Sequence, residues 1–288
     1  MRFLIQSWKV SGKFKFGVIT ISILIVLALI APFIYMPFTQ GQIPARPGVF
    51  APWMLPSPQH PLGTEGAGRD VLGDFLGGLQ ATLLIGFLAG IAALAVGVVF
   101  GFVAGYEGGT VDTILTTFTN MLLVIPSYPI LVGLTLVVPQ KTLFTLAFIL
   151  ALFSWPFAAR TIRAQVIGMK NQSYVELAKV SGQNDFRIIF TELMPNLIPY
   201  LLMSFAFSTV GAMVGEVGIS IIGLGPTDSI TLGMMINLAG GWGAYTRGLW
   251  AILIVPPAVL ILIFVSITMV NRGMEEYLNP RLQNVTGK

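Results

Sequence analysis

Six runs of roughly twenty or more apolar residues, joined by polar connections, leave this chain few ways to fold. They lie at about 16–38, 80–105, 112–138, 142–160, 197–223 and 248–271. A helix needs about 20 such residues to cross the hydrocarbon core of a bilayer. Lipid offers no hydrogen-bond partner to a bare backbone, so each run must be helical. The alternation of a transmembrane barrel is absent. The expected fold is therefore an all-α polytopic membrane protein with six transmembrane helices. Its 55% hydrophobic and 10% charged residues agree, because such a chain could not clothe a soluble surface.

The first run follows Lys9, Lys13 and Lys15, as a secretory leader would. It is too long for a leader's apolar region and has no convincing small-residue cleavage site, so it reads as an uncleaved first span. An even number of spans puts both termini on one face. With the termini inside, twelve of the sixteen Lys and Arg face inward: Arg2, Lys9, Lys13, Lys15, Arg160, Arg163, Lys170, Lys179, Arg187, Arg272, Arg281 and Lys288. Arg46, Arg69, Lys141 and Arg247 remain outside. The positive-inside rule then makes both termini cytoplasmic. Tyr35, Trp242, Tyr245 and Trp250 fall near the outer interface, and Trp155 near the inner one.

The expected organisation is a cytoplasmic segment 1–15, a first span 16–38, an outer loop 39–78, a core 79–272 and a cytoplasmic tail 273–288. The outer loop is rich in proline (Pro44, Pro47, Pro52, Pro56, Pro58, Pro61) and reads as irregular, with a short interfacial helix over Asp70–Leu79. A second outer loop, about 224–247, holds a short helix around Thr231–Leu238. Pro126, Pro129, Pro156, Pro256 and Pro257 should kink spans or mark their ends.

The inner loop 161–196 is the most informative. Ser173-Tyr174-Val175-Glu176 fits a capping box, with Ser173 as N-cap and Glu176 reaching back. The helix so begun runs to Ser181, where Gly182 suits a left-handed C-cap. Asn184 or Asp185 can cap a second helix ending at Met194, before Pro195. Physics alone leaves two readings open: a rigid cytoplasmic knob, or an ordinary hairpin on the membrane surface.

Glu176-Leu177-Ala178, then Gly182, then Leu193-Met194-Pro195 resemble the EAA loop of ABC-importer permeases. Leu177 stands where Ala is usual and Met194 where Leu is usual; both replacements are apolar. His60-Pro61-Leu62-Gly63-Thr64-Glu65 with Gly68-Arg69-Asp70-Val71-Leu72 is similar to dipeptide and oligopeptide permeases. So are Ala104-Gly105-Tyr106-Glu107-Gly108-Gly109 with Asp112, Trp155-Pro156 with Ala159-Arg160, and Glu216 through Ile219-Ser220 to Gly223-Leu224-Gly225. The resemblance spans about 10–285, and the extra first span with its long outer loop is that of the C-type member of the permease pair. It implies the type I importer transmembrane fold. It further implies an ATPase-docking coupling loop containing Ser173, Tyr174, Glu176, Ala178, Lys179 and Gly182. The implied partners are a second homologous permease, two cytoplasmic ATPases that hold the ATP and Mg, and an extracytoplasmic solute-binding protein, in a bacterial or archaeal cytoplasmic membrane. Peptide is the implied cargo, with oligosaccharide or nickel as alternatives within the family.

Other residues have two readings each. Gly86, Gly90, Gly97, Gly101 and Gly105 form a small-residue ladder for helix packing or, less simply, for lining a pathway. Glu216 is an acid deep in an apolar run, which points to gating or a subunit interface, together with Gly223 and Gly225. Snorkelling or a bond to a neighbouring helix is the plainer account. His60 is expected to be structural, and Arg160 and Arg163 to anchor on lipid phosphates.

Several function classes drop out. No Cys is present and His60 is the single His, so thiolate and multi-His metal centres are excluded. No G-x-x-x-x-G-K-[ST] occurs, so no bound cofactor or nucleotide site is expected in this chain. Nothing suggests nucleic-acid binding. An ATPase-independent channel or an assembly subunit remains as a reading from another class.

Overall fold

The structure is a computed structural model, and it describes residues 2–39 and 47–278. Pro44, Arg46, Arg281 and Lys288, used above, lie outside the described residues, as do the side chains of Arg2 and Tyr35. The described residues are helical apart from connecting loops. In chain order the helices are α1 (Arg2–Val10), α2 (Gly12–Thr39), α3 (Val71–Glu107), α4 (Gly109–Val124), α5 (Ser127–Val137) and α6 (Leu143–Lys170). There follow α7 (Ser173–Val180), α8 (Asp185–Ile188), α9 (Met194–Ile221), α10 (Leu232–Gly241) and α11 (Trp250–Leu278). The stretches containing α2, α3, α6, α9 and α11 are long and apolar enough to cross a membrane, and the bent pair α4–α5 brings the number to six when counted as one span.

The stretch expected as a span over 112–138 is broken near Pro126, one of the prolines expected to kink a span or mark its end. It turns through 82° between α4 and α5. Pro126 disfavours helical backbone at Ile125, whose φ and ψ are −69° and 128°, and the chain leaves the helix there. By contrast Pro156, Pro199, Pro256 and Pro257 sit inside continuous helices.

The start of α3 also differs from expectation. Asp70–Leu79 is no interfacial helix but the first turns of the 37-residue α3. The carboxylate of Asp70 caps it by accepting from Gly73 N–H at 2.9 Å, and Val71, Leu76 and Leu79 are buried. Asp70 also meets His60, whose Nδ1 lies 2.7 Å from Oδ2, so the single histidine locks the outer loop onto α3. The second outer loop holds α10, capped by Thr231.

The bundle is built around α3, whose small residues let neighbours approach closely. A Cβ on Gly97 would come within 2.7 Å of the Ala158 methyl carbon, and one on Gly101 within 2.7 Å of the Ala159 carbonyl. These glycines pack inside the chain, against α6. Trp155 belongs to the same seam: it is buried, with its ring 4.5 Å from that of Phe100. It is therefore a core residue of the bundle.

The first and last helices meet. Ser11 Oγ donates to Glu276 Oε2 at 2.6 Å and Lys13 Nζ to Oε1 at 2.5 Å, while Tyr277 O–H donates to Gln6. The two ends of the described chain thus lie on the same face of the bundle. That face also carries α7 and α8, because α3 and α6 each run down to it.

Candidate functional site

The connection from α6 to α9 is built on a small apolar base of its own. Val175 and Ala178 of α7 and Ile188 of α8 bury themselves against Phe102, Ile162, Val166, Leu193 and Leu197. The inner loop is shorter than 161–196, because α6 continues as helix to Lys170. Only Asn171 and Gln172 then separate α6 from α7. The extended residue before α7 is consequently Gln172, with ψ 148°, and Ser173 is the first helical residue.

The capping box therefore does not form. Gln172 makes no side-chain cap bond, and its carbonyl instead accepts from Val175 and Glu176 N–H at 2.9 and 3.1 Å. Tyr174 and Glu176 point away from the base and are exposed. The other end matches the cap expected of its glycine. Gly182 takes φ +76°, with Gly182 N–H donating to Lys179 O at 3.0 Å and Gln183 N–H to Ala178 O at 3.1 Å. This is a Schellman turn, and it closes α7. Asn184 caps α8 by accepting from Arg187 N–H at 2.8 Å.

Pro195 does not stop the second helix. After α8 the chain widens into a π turn, Ile189–Leu193, and continues into α9 with Pro195 as its second residue. Met194 N–H donates to Ile189 O across that turn. A proline needs no backbone donor near a helix start, so the locally wider turn absorbs it.

Two contacts tie this loop to α3, and a third ties α3 to the end of α6. Tyr106, at the end of α3, donates its hydroxyl to Asp185 Oδ1 at 2.5 Å. Lys179 Nζ lies 5.8 Å from the centroid of the same ring, and Lys170 Nζ donates to the Tyr106 carbonyl at 3.3 Å. Beside them Arg163 of α6 forms two bonds to Asp112 of α4, Nε–Oδ1 at 2.5 Å and Nη2–Oδ2 at 2.6 Å. Arg163 is thus committed to a protein carboxylate, where a lipid phosphate was expected. Sequence reasoning missed these pairings. Their members are 79 and 51 residues apart, and spacing in one sequence carries no signal at that range.

Glu216 is buried in the bundle, toward the end of α9. Its Oε1 accepts from Ser220 Oγ and Thr231 Oγ1, each at 2.6 Å, and Thr231 in turn caps α10. Gly223 takes φ +83° in a second Schellman turn, closed by Gly223 N–H to Ser220 O at 2.9 Å and Leu224 N–H to Ile219 O at 3.0 Å. Gly225 packs so close that a Cβ there would lie 2.6 Å from Met234 Cγ and from Ser220 Oγ. The acid and both glycines therefore belong to one turn joining α9 to α10, a bond between helices rather than a snorkelling carboxylate.

Comparison with known proteins then decides the family. Residues 97–284 match the family described as the binding-protein-dependent transport system inner membrane component. The chain belongs to this family. The match contains both the α7–α8 loop and the Glu216 turn. The oligopeptide transport system permease protein of Lactococcus lactis subsp. cremoris is 31% identical over 255 residues, covering 88% of this chain and 86% of the relative. The dipeptide transport system permease protein of Bacillus subtilis is 29% identical over 279 residues, covering 96% and 86%. The oligopeptide permease protein of Mycobacterium tuberculosis is 29% identical over 231 residues, covering 78% and 77%. As a multi-pass component of this family, the chain is a transport subunit.

Proposed function

We propose that this chain is one permease of a pair that carries di- or oligopeptides across a bacterial cytoplasmic membrane, driven by separate ATPases. Peptide as cargo is supported by the names of the relatives. The ATPase partnership is supported by the outward surface of the α7–α8 loop. Leu177, Val180 and Phe186 are 68%, 86% and 72% exposed. They are apolar and project from a rigid base outside the bundle, where water makes exposed apolar area unfavourable at about 25 cal/mol per Å². A cytoplasmic ATPase groove would cover them, with Ser173, Tyr174, Glu176 and Lys179 at its margin.

In this reading both termini and the loop are cytoplasmic, in agreement with the twelve-to-four distribution of Lys and Arg. A solute-binding protein delivers peptide at the outer mouth, and ATP and Mg bind the ATPase pair rather than this chain. ATP-driven closure of the ATPases moves α7, and the paired bundles exchange inward-open for outward-open states. Only contacts that differ between those states can drive the exchange, so a loop seated on its own buried base is suited to transmit it. Glu216, Gly223 and Gly225 then hold α10 against α9 at the outer mouth, where a gate or the second permease would meet them.

The test is direct. Leu177→Asp with Val180→Asp leaves the buried base untouched and is expected to abolish copurification of the ATPase subunits while the permease pair still reaches the membrane. Normal ATPase retention and uptake by that variant would refute the docking role.

A further inference from the structure

We infer that Tyr106 is a positioning residue of energy coupling, a strut that binds α3 to both helices of the α7–α8 loop at once. The inference rests on the ATPase-docking role proposed for that loop. The geometry is specific to one side chain. The ring lies beneath Lys179 of α7, and the hydroxyl donates to Asp185, the first residue of α8. The backbone carbonyl of the same residue accepts from Lys170 at the end of α6. Tyr106 therefore touches, by three different groups, every helix that enters or forms the loop before the π turn.

The mechanical consequence follows from where α3 goes. It is one 37-residue helix, packed on α6 through glycines that allow almost no relative slack. A displacement of α7 cannot move the end of α3 unless something fixes the two together. The apolar base, which includes Phe102 of α3, joins the two by packing, and the polar contacts of Tyr106 add directed bonds. A charge-assisted hydrogen bond and a cation over a ring fix direction. Immediately after Tyr106 the chain breaks at Gly108, φ +73°, and starts α4, whose Asp112 holds Arg163. Movement of the Tyr106 end of α3 is thereby passed to the bent third span as well.

The experiment uses the whole complex in liposomes: both permeases, both ATPases and the liganded binding protein. Tyr106→Phe keeps the ring over Lys179 and removes the hydroxyl. Asp185→Ala removes the acceptor and Asp185→Asn keeps an acceptor oxygen. Tyr106→Phe and Asp185→Ala are each expected to retain assembly and basal ATP hydrolysis, and to lose about three- to tenfold in binding-protein-stimulated hydrolysis and in uptake, the size expected for one solvent-exposed hydrogen bond. The double variant is expected to lose no more than either single one, and Asp185→Asn to recover most of the loss. A general loosening of the loop would not be rescued by an acceptor oxygen. Unmodified stimulation in Tyr106→Phe, additive losses in the double variant, or loss of the ATPases from the complex would each overturn the strut. A cysteine at Val180 cross-linked to the ATPase in the otherwise unmodified complex separates the two levels. With the cross-link present, those outcomes refute the strut alone; with it absent, the docking reading and the strut fall together.

Discussion

Arg163 and Asp112 meet face to face, two guanidinium N–H groups on two carboxylate oxygens at 2.5 and 2.6 Å, and so pin the bent third span to the helix that leads into the α7–α8 loop. A planar fork on a carboxylate is a geometry that lysine cannot reproduce. The pair is partly exposed, which moderates its worth.

Breaking that pair should therefore loosen α4 without unfolding the bundle. Asp112→Asn and Arg163→Lys are each expected to cost about 1–2 kcal/mol, between an exposed ion pair and a buried one. Thermal unfolding of the purified permease pair in detergent measures this. The double variant should lose less than the sum of the singles; full additivity would mean that the two side chains do not interact.

Gly182→Val isolates backbone strain, because nothing lies within 4 Å of the Cβ it would add. The left-handed φ of +76° is expected to cost at least about 1–2 kcal/mol for a residue with a branched side chain. Glu176→Ala should leave local stability nearly unchanged, since no capping bond is there to lose. Hydrogen exchange over 173–183 distinguishes the two. A Glu176→Ala variant that frays α7 would show that a cap forms after all.

Glu216 is predicted to be a stability residue of the α9–α10 turn. Glu216→Leu removes the acceptor shared by the buried Ser220 and Thr231 hydroxyls, which keep only a 3.5 Å contact with each other and the Met234 N–H bond to Thr231, at a cost of about 1–3 kcal/mol. Membrane abundance and thermal stability should both fall, and Thr231→Val should lower stability by about 1 kcal/mol through loss of the α10 cap. Unchanged stability in Glu216→Leu would remove the acid from the packing scheme.

Close approach of α3 and α6 predicts that Gly101→Leu prevents assembly, whereas Gly133→Leu is tolerated within the chain, its added Cβ meeting nothing within 4 Å. Expression and gel-filtration profiles of the two variants check it. Normal assembly of Gly101→Leu would mean that the two helices separate more readily than their contact distances imply.

Orientation is tested by single cysteines in this Cys-free chain. Positions Gln183 and Thr246 are expected to label with an impermeant maleimide from opposite sides, Gln183 only after the membrane is opened. Labelling of Gln183 in intact cells would invert the topology.

The sequence by itself determined the spans, the short outer helix and the glycine that ends α7. Each is a local matter: the length of an apolar run, a Thr before a helix, a position that only glycine occupies without strain. It also carried the family, through short motifs that survive in order along the chain. It misplaced what depends on neighbours. Ser173 has the residues of a capping box, yet a two-residue link from α6 makes Gln172 the cap. Pro195 looks like a stop, yet a π turn carries the helix through it. Arg163 looks like an interface anchor, yet it finds Asp112, far away in sequence. Tertiary structure alone decided those pairings and the role of Tyr106, because a hydrogen bond between distant residues is set by where two helices end, and no local pattern encodes that distance.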